Sequence, residues 1–328
     1  MKKVLVTGCA GFIGTNLIAK LLETKDYYIV GIDNFSPFYD LNTKLENVKR
    51  NSNHFYKTIQ VDVTNEYMLR RLIFEEEKFD IVIHLAAQAG VSYSIQHPLE
   101  VIDTNIKGFD ILLRMAHEYG VKKFIYASSS SVLGDYDGIY KQKSPYAVTK
   151  ATNELQGKMY SELFKDMNIV GLRFFTVYGE RMRPDLAIAK FTKAILNDEE
   201  IHVYGDGSIS RDFTYVGDVA DNILKVIETD TTECSGRVFD VGVGNGKATT
   251  INELIEIIKN ACGREDYDKV IYEEGKPYDA KTTLSSISPS FKFFGDDGLR
   301  CHTDLEEGIK KYVEYIKKVS TDSISVLF

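Results

Sequence analysis

The feature that most constrains the fold is a glycine-rich turn between an apolar, β-branched run and an apolar-periodic segment near the amino terminus. The run Lys3–Thr7 predicts a strand, and the periodicity through Leu22 predicts a helix. The glycines between them follow a G-x-x-G-x-x-G spacing. Such a turn lets the backbone approach a pyrophosphate and directs free helix N–H groups at it. A dinucleotide-binding unit is therefore predicted, with cofactor contacts at Gly8, Gly11, Phe12, Ile13 and Gly14.

A carboxylate follows the second predicted strand, Tyr28–Ile32. Asp33 lies roughly 20 residues after the glycines, where an acid hydrogen-bonds the ribose hydroxyls of adenosine. A carboxylate there would repel a 2′-phosphate, and neither Lys nor Arg occurs from Asn34 to Tyr39. We therefore predict NAD rather than NADP as the cofactor, contacted by Asp33 and Asn34.

Charge and cysteine usage argue against several classes of function. A net charge of −8 and scattered basic residues argue against a nucleic-acid partner. The four cysteines are far apart and form no C-x-x-C pair, which is typical of reduced thiols and indicates neither a disulfide framework nor a metal site. The amino terminus lacks the regions of a signal peptide, and no apolar stretch approaches the ~20 residues of a membrane span. We expect a cytoplasmic protein without a membrane partner.

The order of the remaining elements indicates the fold class. Further strands are predicted at His54–Val61, Asp80–Leu85, Lys122–Ala127, Ile169–Arg173 and Arg237–Val241. Helices are predicted around 41–48, from Asn65 to about Glu77, and at Pro98–Tyr119, Tyr146–Lys165, Ala187–Leu196, Thr250–Ala261 and Asp304–Lys317. Strands that alternate with helices, without hairpin signals, form a parallel sheet with helices on both faces. The prediction is an α/β protein with a Rossmann-like, doubly wound parallel sheet and a smaller C-terminal substrate-binding lobe.

The domain boundary is predicted near residue 179, where the regular alternation of strands and helices ends. We expect residues 1–178, with later returns around 212–243, to form the NAD-binding domain, and residues 179–328 to form mainly the substrate lobe. Ligands of open parallel sheets bind at the carboxyl ends of the strands. This rule predicts cofactor contacts at Asp62, Val63, Leu85, Ala86 and Ala87. His84 lies within a predicted buried strand, and we interpret it as a core residue.

Four serines and a tyrosine–lysine pair follow the fifth predicted strand. Ser128–Ser131 end that strand, and a short loop leads to Tyr146 and Lys150 at the start of a predicted helix. Residues four apart share a helix face, so the ammonium of Lys150 is expected to lower the pKa of Tyr146. A phenol with a lowered pKa can act as a general base.

The Tyr-x-x-x-Lys spacing is not specific by itself. Tyr119 with Lys123 and Tyr272 with Lys276 match it as well. Only the pair at 146 and 150 comes after a serine cluster at the carboxyl end of a predicted sheet strand, and we predict that this pair is catalytic and contacts the cofactor.

Together these motifs resemble the extended short-chain dehydrogenase/reductase superfamily, in order over essentially the whole chain. The second half resembles the nucleotide-sugar epimerases, and most closely the UDP-glucuronate 4-epimerases. The segments that carry this likeness are Gly31–Phe35, Ala87–Val91, Arg173–Gly179, Arg183–Asp185, Val203–Gly207 and Arg211–Val216.

The resemblance implies roles for individual residues. Ser129 would be the hydroxyl partner of Tyr146, and Arg211 would bind the substrate diphosphate, unless it merely pairs with Asp212 or Asp218. Substrate contacts are implied at Ser129, Ser130, Ser131, Thr176, Arg183, Val203, Arg211 and, as a substitute for an arginine, Lys276. The implied reaction oxidises C4 of a UDP-sugar with NAD, lets the 4-keto sugar turn over and returns the hydride to its opposite face. A homodimer through the two long helices is also implied.

The chain departs from the epimerase pattern at several positions. Ser92 replaces a usual arginine, which weakens the case for a uronate, and Leu133 replaces a usual tyrosine. The loop from Asp135 to Lys143 is short and weakly acidic, which predicts an open mouth to the site. Epimerases of UDP-glucose or UDP-N-acetylglucosamine, a UDP-glucuronate decarboxylase and a non-enzymatic NAD sensor remain alternatives. A 4,6-dehydratase is disfavoured, because serines stand at 130 and 131 where those enzymes carry acids.

Overall fold

The computed structural model describes residues 1–135 and 142–325, with side chains through residue 319. The strands are β1 Lys2–Thr7, β2 Tyr27–Asp33, β3 Tyr56–Gln60, β4 Ile81–His84, β5 Lys123–Ser129, β6 Asn168–Phe174, β7 Thr176–Tyr178, β8 Ile201–Tyr204, β9 Ser210–Arg211, β10 Phe213–Tyr215, β11 Val238–Val241, β12 Thr249–Thr250 and β13 Val270–Glu273. The helices are α1 Phe12–Thr24, α2 Leu41–Arg50, α3 Glu66–Leu69, α4 Val91–Gln96, α5 Pro98–Ile102, α6 Gly108–Glu118, α7 Pro145–Leu163, α8 Ala187–Asn197, α9 Val216–Glu228, α10 Ile251–Cys262, α11 Ser288–Phe294 and α12 Leu305–Ser325.

A seven-stranded parallel sheet organises the described residues. Its strand order is β11-β6-β5-β4-β1-β2-β3, so the chain runs outward from β1 first in one direction and then in the other. The point between β1 and β4 is a topological switch, and ligands bind outside the carboxyl ends of the strands at such a point. The predicted fold class is confirmed.

The core has three parts. Helices α1 and α9 pack on one face of the sheet, and α6 and part of α7 pack on the other. A third apolar cluster, built from α8, α10, α12 and β8, lies in the C-terminal half. Three small two-stranded sheets accompany it, β10-β7, β12-β9 and β13-β8, and the sequence did not predict their strands.

Two predicted helices are interrupted. The helix expected from Asn65 to Glu77 is α3 followed by a π-helical turn at Arg70–Phe74, and the helix expected from Pro98 to Tyr119 contains a π-helical turn at Asp103–Lys107. Each π turn spans only five residues within a longer helical segment, which is too short for the periodicity to distinguish it from α-helix. Asn65 caps α3 by accepting from Met68 N at 3.0 Å, and Thr250 forms a capping box with Glu253 at the start of α10, so both helices begin where the sequence predicts.

His84 is a core residue, as predicted. Its side chain is buried, its Nδ1 lies 2.8 Å from Thr7 Oγ1, and its ring packs against Phe109 and Phe124. Burial, assisted by the positive charge of Lys150, lowers the pKa of His84 to about 3, so the ring is neutral at physiological pH. None of the helices in the described ranges is both long enough and apolar enough to cross a membrane.

A buried tyrosine packs between helix α7 and the sheet. The ring of Tyr126 lies between Gly157 of α7 and Gly171 of β6, and a Cβ at either glycine would come within 2.6 Å of the phenol oxygen. The absence of side chains at these two positions lets α7 approach the sheet closely. This contact holds the second half of α7 against the sheet.

We expect Gly157→Ala to destabilise the protein by about 1–3 kcal/mol, because the added methyl group overpacks the contact with Tyr126. Helix propensity alone predicts the opposite, a gain of about 1 kcal/mol for alanine over glycine. The free energy of unfolding in urea distinguishes the two. In the background of Tyr126→Phe the loss should shrink, and an equal loss in both backgrounds would contradict this account.

Candidate active site

A cavity of about 460 Å³ opens at the carboxyl ends of the central strands. It brings together most of the residues predicted from the sequence. Those that line it are Gly8, Gly11, Phe12, Ile13, Gly14, Asp33, Asn34, Val63, Leu85, Ala86, Ala87, Ser129, Ser130, Ser131, Tyr146, Lys150, Thr176, Arg183 and Arg211. The glycine turn, the serine cluster and the two arginines therefore line the same cavity.

The glycine turn has the shape that a dinucleotide requires. Gly8 has φ +71°, a conformation that favours glycine, and a Cβ there would come within 2.8 Å of Ala86 N. A Cβ at Gly14 would overlap the carbonyl oxygen of Gly8, whereas a Cβ at Gly11 would come within 3.2 Å of that oxygen. The turn therefore leaves a cradle at the N-terminus of α1 that a pyrophosphate can fill.

Asp33 is held at the end of β2 by its neighbours. Its carboxylate accepts hydrogen bonds from Ala10 N at 3.2 Å and from Phe35 N at 2.8 Å. Lys44 Nζ lies 3.7 Å from Asp33 Oδ1, and both side chains are buried. Lys44 also lies over the ring of Tyr39, 5.0 Å from its centroid. Lys44 of α2 therefore places a positive charge beside Asp33, although the segment from Asn34 to Tyr39 contains neither Lys nor Arg.

Helix α2 turns its polar side chains inward. Asn47 Nδ2 donates to Ala10 O at 3.0 Å, and Asn51 Nδ2, just after the helix, donates to Thr15 O at 2.8 Å. Leu41 and Leu45, whose spacing indicated the helix, are exposed. The inner face of α2 meets backbone carbonyls around the glycine turn, so it needs donors rather than apolar groups. The helical spacing of Lys44, Asn47 and Asn51 is the sequence signal that could have revealed the polar inner face of α2.

The predicted general base lies in the first turn of α7. Ser144 caps the helix by accepting from Ala147 N at 3.2 Å, and Pro145 begins it. Burial raises the pKa of Tyr146, while a hydrogen bond with Ser129 and the charge of Arg183 act in the opposite direction. The prediction of a lowered pKa was therefore wrong in direction, because burial outweighs the nearby charges.

Lys150 is buried one turn further along α7. Its Nζ donates to Ala127 O at 2.9 Å and lies 5.9 Å from the centroid of the Tyr146 ring. Burial lowers the pKa of Lys150 to about 8, and the carboxylate of Glu154 partly offsets this effect. The Lys150 side chain thus lies beside the tyrosine ring, held in place by the carbonyl of Ala127.

The serine cluster is ordered by its own hydroxyls. Ser129 caps a short 3₁₀ turn at Ser130–Leu133, accepting from Ser131 N at 3.2 Å and from Ser131 Oγ at 2.9 Å. Ser128 instead points under the site, where its Oγ donates to Glu154 at 2.5 Å. The three serines 129–131 therefore present hydroxyls to the cavity.

An asparagine that the sequence did not single out holds the loop after β4. Asn105 lies in the π turn before α6, accepts from Gln88 N at 2.8 Å and donates to Gln88 O at 3.1 Å. Its own carbonyl accepts from Asn153 of α7 at 2.8 Å. The π turn thus ties the loop 86–90 to α7, which carries Tyr146.

The two arginines enter from the C-terminal half. Arg183 makes a two-pronged ion pair with Asp185, at 2.9 and 2.8 Å, and lies over the ring of Phe38. Arg211 donates to Ser210 O at 2.8 Å. The neighbours proposed as simple partners of Arg211 are engaged elsewhere, Asp212 by Ser285 and Asp218 by Thr303.

Three predicted contact residues lie outside the lining of the cavity. Asp62 accepts from Asn34 at 2.8 Å, Val203 is buried in the C-terminal core, and Lys276 lies 3.5 Å from the centroid of the Tyr204 ring. Ser92 is exposed on α4 and does not line the cavity either. The prediction of an open mouth concerns residues 136–141, which lie outside the described residues.

The fold and this site define a class of protein, the NAD-dependent epimerases and dehydratases. Residues 4–242 match the model of the NAD dependent epimerase/dehydratase family, and the chain belongs to this family. Its membership confirms the predicted superfamily, the NAD cofactor and the prediction of an NAD-dependent enzyme.

Individual relatives are similar along nearly their whole length. UDP-glucuronate 4-epimerase of Thermodesulfobacterium geofontis is 34% identical, over 96% of both chains. The structure of UDP-glucuronic acid 4-epimerase from Bacillus cereus, in complex with UDP-glucuronic acid and NAD, matches with a TM-score of 0.86 at 31% identity, covering 97% of this chain and 99% of that one. UDP-glucose 4-epimerase of Thermotoga maritima, with UDP-glucose, matches with a TM-score of 0.84 at 31% identity, with the same coverage.

We expect Gly11→Ala to abolish copurification of NAD while the protein still folds. The methyl group projects where the pyrophosphate must approach, but its contact with Gly8 O at 3.2 Å is only tight. Nucleotide released from the denatured protein and quantified by chromatography measures the loss. Gly14→Ala is the comparison, since its methyl group overlaps the turn itself and should also lower the free energy of unfolding. Full NAD content in Gly11→Ala would contradict the assignment of the cradle.

Proposed function

We propose that the protein is an NAD-dependent UDP-sugar 4-epimerase that interconverts UDP-glucuronate and UDP-galacturonate. The observation that carries the proposal is that Tyr146, Lys150 and Ser129 share one cavity with the glycine turn and with two arginines. Family membership and the names of the similar proteins support the reaction and the UDP-sugar. A base, a dinucleotide cradle and cations for an anionic substrate are the groups that this reaction needs.

The residues of this chain divide the work of the reaction. Gly8, Gly11 and Asp33 would hold NAD, which supplies the acceptor and donor of hydride when it is bound. Tyr146 takes the proton of the sugar 4-hydroxyl and later returns it, and Ser129 stabilises the phenolate by hydrogen bonding. The charge of Lys150 and that of a bound nicotinamidium ring would both favour the phenolate, against the effect of burial.

The C-terminal half would hold the substrate. Arg211 offers donors to the diphosphate, while Ser130, Ser131, Thr176 and Arg183 surround the sugar. Hydroxyls and a guanidinium suit a carboxylate, which favours a uronate over a neutral sugar. We further propose the division expected from the sequence, with residues 1–178 and the returning strand β11 holding NAD and residues 179–328 mainly holding the nucleotide sugar.

Proton NMR of the purified protein with UDP-glucuronate, without added NAD, tests the proposal. UDP-galacturonate should accumulate to an equilibrium mixture, because hydride is returned and NAD is not consumed. Tyr146→Phe should lower the rate by roughly 10²–10⁴-fold. Turnover only of UDP-glucose or UDP-N-acetylglucosamine would overturn the uronate assignment, loss of CO₂ would identify a decarboxylase, and NAD binding without any turnover would favour a sensor.

Replacement of Ser129 should shift the pH dependence of the reaction. The hydrogen bond from Ser129 lowers the pKa of Tyr146, so Ser129→Ala should raise that pKa. Because the base must be deprotonated, the acid limb of kcat/KM should then move to higher pH. Ser131→Ala, which removes a donor to Ser129 rather than to Tyr146, is the control and should leave the limb in place. If the acid limb of kcat/KM does not move in Ser129→Ala, Ser129 does not influence the pKa of Tyr146.

We also propose a homodimer in the cytoplasm. Large apolar side chains are exposed on the adjacent helices α5 and α7, namely Leu99, Ile102, Val148, Leu155, Met159 and Leu163. Those of α7 recur at helical spacing along one face, and Leu99 is 79% and Leu155 70% exposed. An apolar face of this kind is typical of a protein interface. The four cysteines are free and buried, which supports a reducing compartment.

We expect Leu155→Glu to convert the dimer to monomer, because a carboxylate would be buried between the paired faces. Light scattering after size-exclusion chromatography measures the mass. Tyr67→Glu on α3, at a side chain that is also 70% exposed, is the matched control and should leave the mass unchanged. A wild-type monomer, or a dimer in Leu155→Glu, would rule out this interface.

A further inference from the structure

A cluster of charged side chains lies at the mouth of the cavity and is not used by the mechanism above. Lys143, just before α7, lines the cavity together with Arg211, Tyr278 and Asp279. Its Nζ lies 2.5 Å from Asp135 Oδ2 and 3.4 Å from Asp279 O. The Lys143 side chain is only one-quarter exposed. It therefore stands at the edge of the site rather than in open solvent.

Asp135 connects the two halves of the protein at this edge. One carboxylate oxygen meets Lys143, and the other accepts from Lys281 N at 2.7 Å. These hydrogen bonds hold the pKa of Asp135 below its usual value, so the carboxylate is charged. Lys281 lies beside β9, where its carbonyl accepts from Ser210 N at 2.9 Å. The rim that carries Lys143 is thus joined to the strand that carries Arg211.

The charges of this cluster compensate one another before substrate arrives. Burial lowers the pKa of Arg211, while the negative charges of Asp279 and Asp135 oppose the shift. The carboxylate of Asp135 thus pairs with Lys143 and also acts on the charge of Arg211. A diphosphate brought to Arg211 would enter beside Lys143 and would offer a stronger anion than a single carboxylate.

We propose that Lys143 is a second cation for the diphosphate of the nucleotide sugar, held ready by Asp135 and transferred to the phosphates when substrate binds. The inference rests on the proposed function, since it needs a nucleoside diphosphate in this cavity. Lys276, which was expected to supply such a cation, packs on Tyr204 instead. An ammonium on a flexible stem can change partner without moving the backbone.

Binding of UDP to the NAD-containing protein, measured by titration calorimetry, tests this role without catalysis. Lys143→Met should raise the Kd of UDP about tenfold, equivalent to about 1.4 kcal/mol, and should reduce its salt dependence. Lys143→Arg should stay close to wild type. The affinity for uridine, which has no phosphate, should not change in either variant.

The variant Asp135→Asn distinguishes a phosphate-binding role of Lys143 from a purely structural role of its ion pair with Asp135. The asparagine oxygen can still accept from Lys281 N, but the variant loses the negative charge that competes for Lys143. If Lys143 binds phosphate, Asp135→Asn should bind UDP as tightly as wild type or more tightly. If the ion pair only closes the rim, Asp135→Asn and Lys143→Met should weaken UDP equally, and that result would overturn the proposal.

Failure of this inference can be distinguished from failure of the proposed function. UDP affinity that falls in Arg211→Met but is unchanged in Lys143→Met would reject Lys143 alone. A wild-type protein that does not bind UDP would reject both the nucleotide-sugar assignment and the role of Lys143.

Discussion

The close contact between the glycine turn and the sheet is the constraint on which the rest of the site depends. Gly8 and Gly14 leave no room for a Cβ, against Ala86 and against the turn itself. This contact sets the N-terminus of α1 at the switch point beside β1, from which the strands diverge in both directions. The ends of β2, β4 and β5 then bring Asp33, the loop 86–90 and the serine cluster to the same opening. A side chain in the turn would displace all of these groups relative to one another.

Most strands of the central sheet could be predicted because both of their faces are buried. A parallel strand covered on both sides reads as a continuous apolar run, as in β1, β4 and β5. The small sheets of the C-terminal half could not be predicted, because strands of two to four residues carry no recognisable period. The π turns were missed for a related reason, since a single turn of five residues inside a longer helix is too short to show its own period. The π turn around Asn105 is recognised only by the contacts it makes.

Site residues could be predicted where a sequence motif determines the backbone conformation. They were harder to predict where packing determines which way a side chain points. The residues singled out by the glycine turn and by the Tyr146–Lys150 spacing all line the cavity. Lys44 was missed because the buried face of α2 is polar, contrary to the usual burial of apolar residues. Val203 alternates with the exposed Tyr204 along β8 and points to the core, a choice of face that its motif does not specify. The pKa of Tyr146 is raised by burial, and the spacing of residues along the sequence does not show how deeply a side chain is buried.

A buried lysine needs compensation, and the chain supplies it beneath the cavity. Glu154 lies one helical turn beyond Lys150, pairs with Arg173 at 2.7 Å and accepts from Ser128. Arg173 in turn lies 3.5 Å from Asp240 on the neighbouring strand β11. Such a network lets charged groups remain buried, because each retains partners. The charge that Lys150 brings to the site is therefore maintained by residues on two further strands of the sheet.

An exchange of hydride with both faces of one carbon places opposite demands on a cavity. The reacting ring must be free to turn, while the nucleotide must stay in place so that the same carbon returns to the base. The residues that line this cavity include small ones, among them Ala86, Ala87, Ala89 and Gly90, as well as the glycine turn and two arginines. Small side chains allow rotation because they leave space, and charged groups that bind the phosphates restrain translation of the nucleotide. The combination of small and charged residues in the lining thus matches the two demands of the proposed reaction.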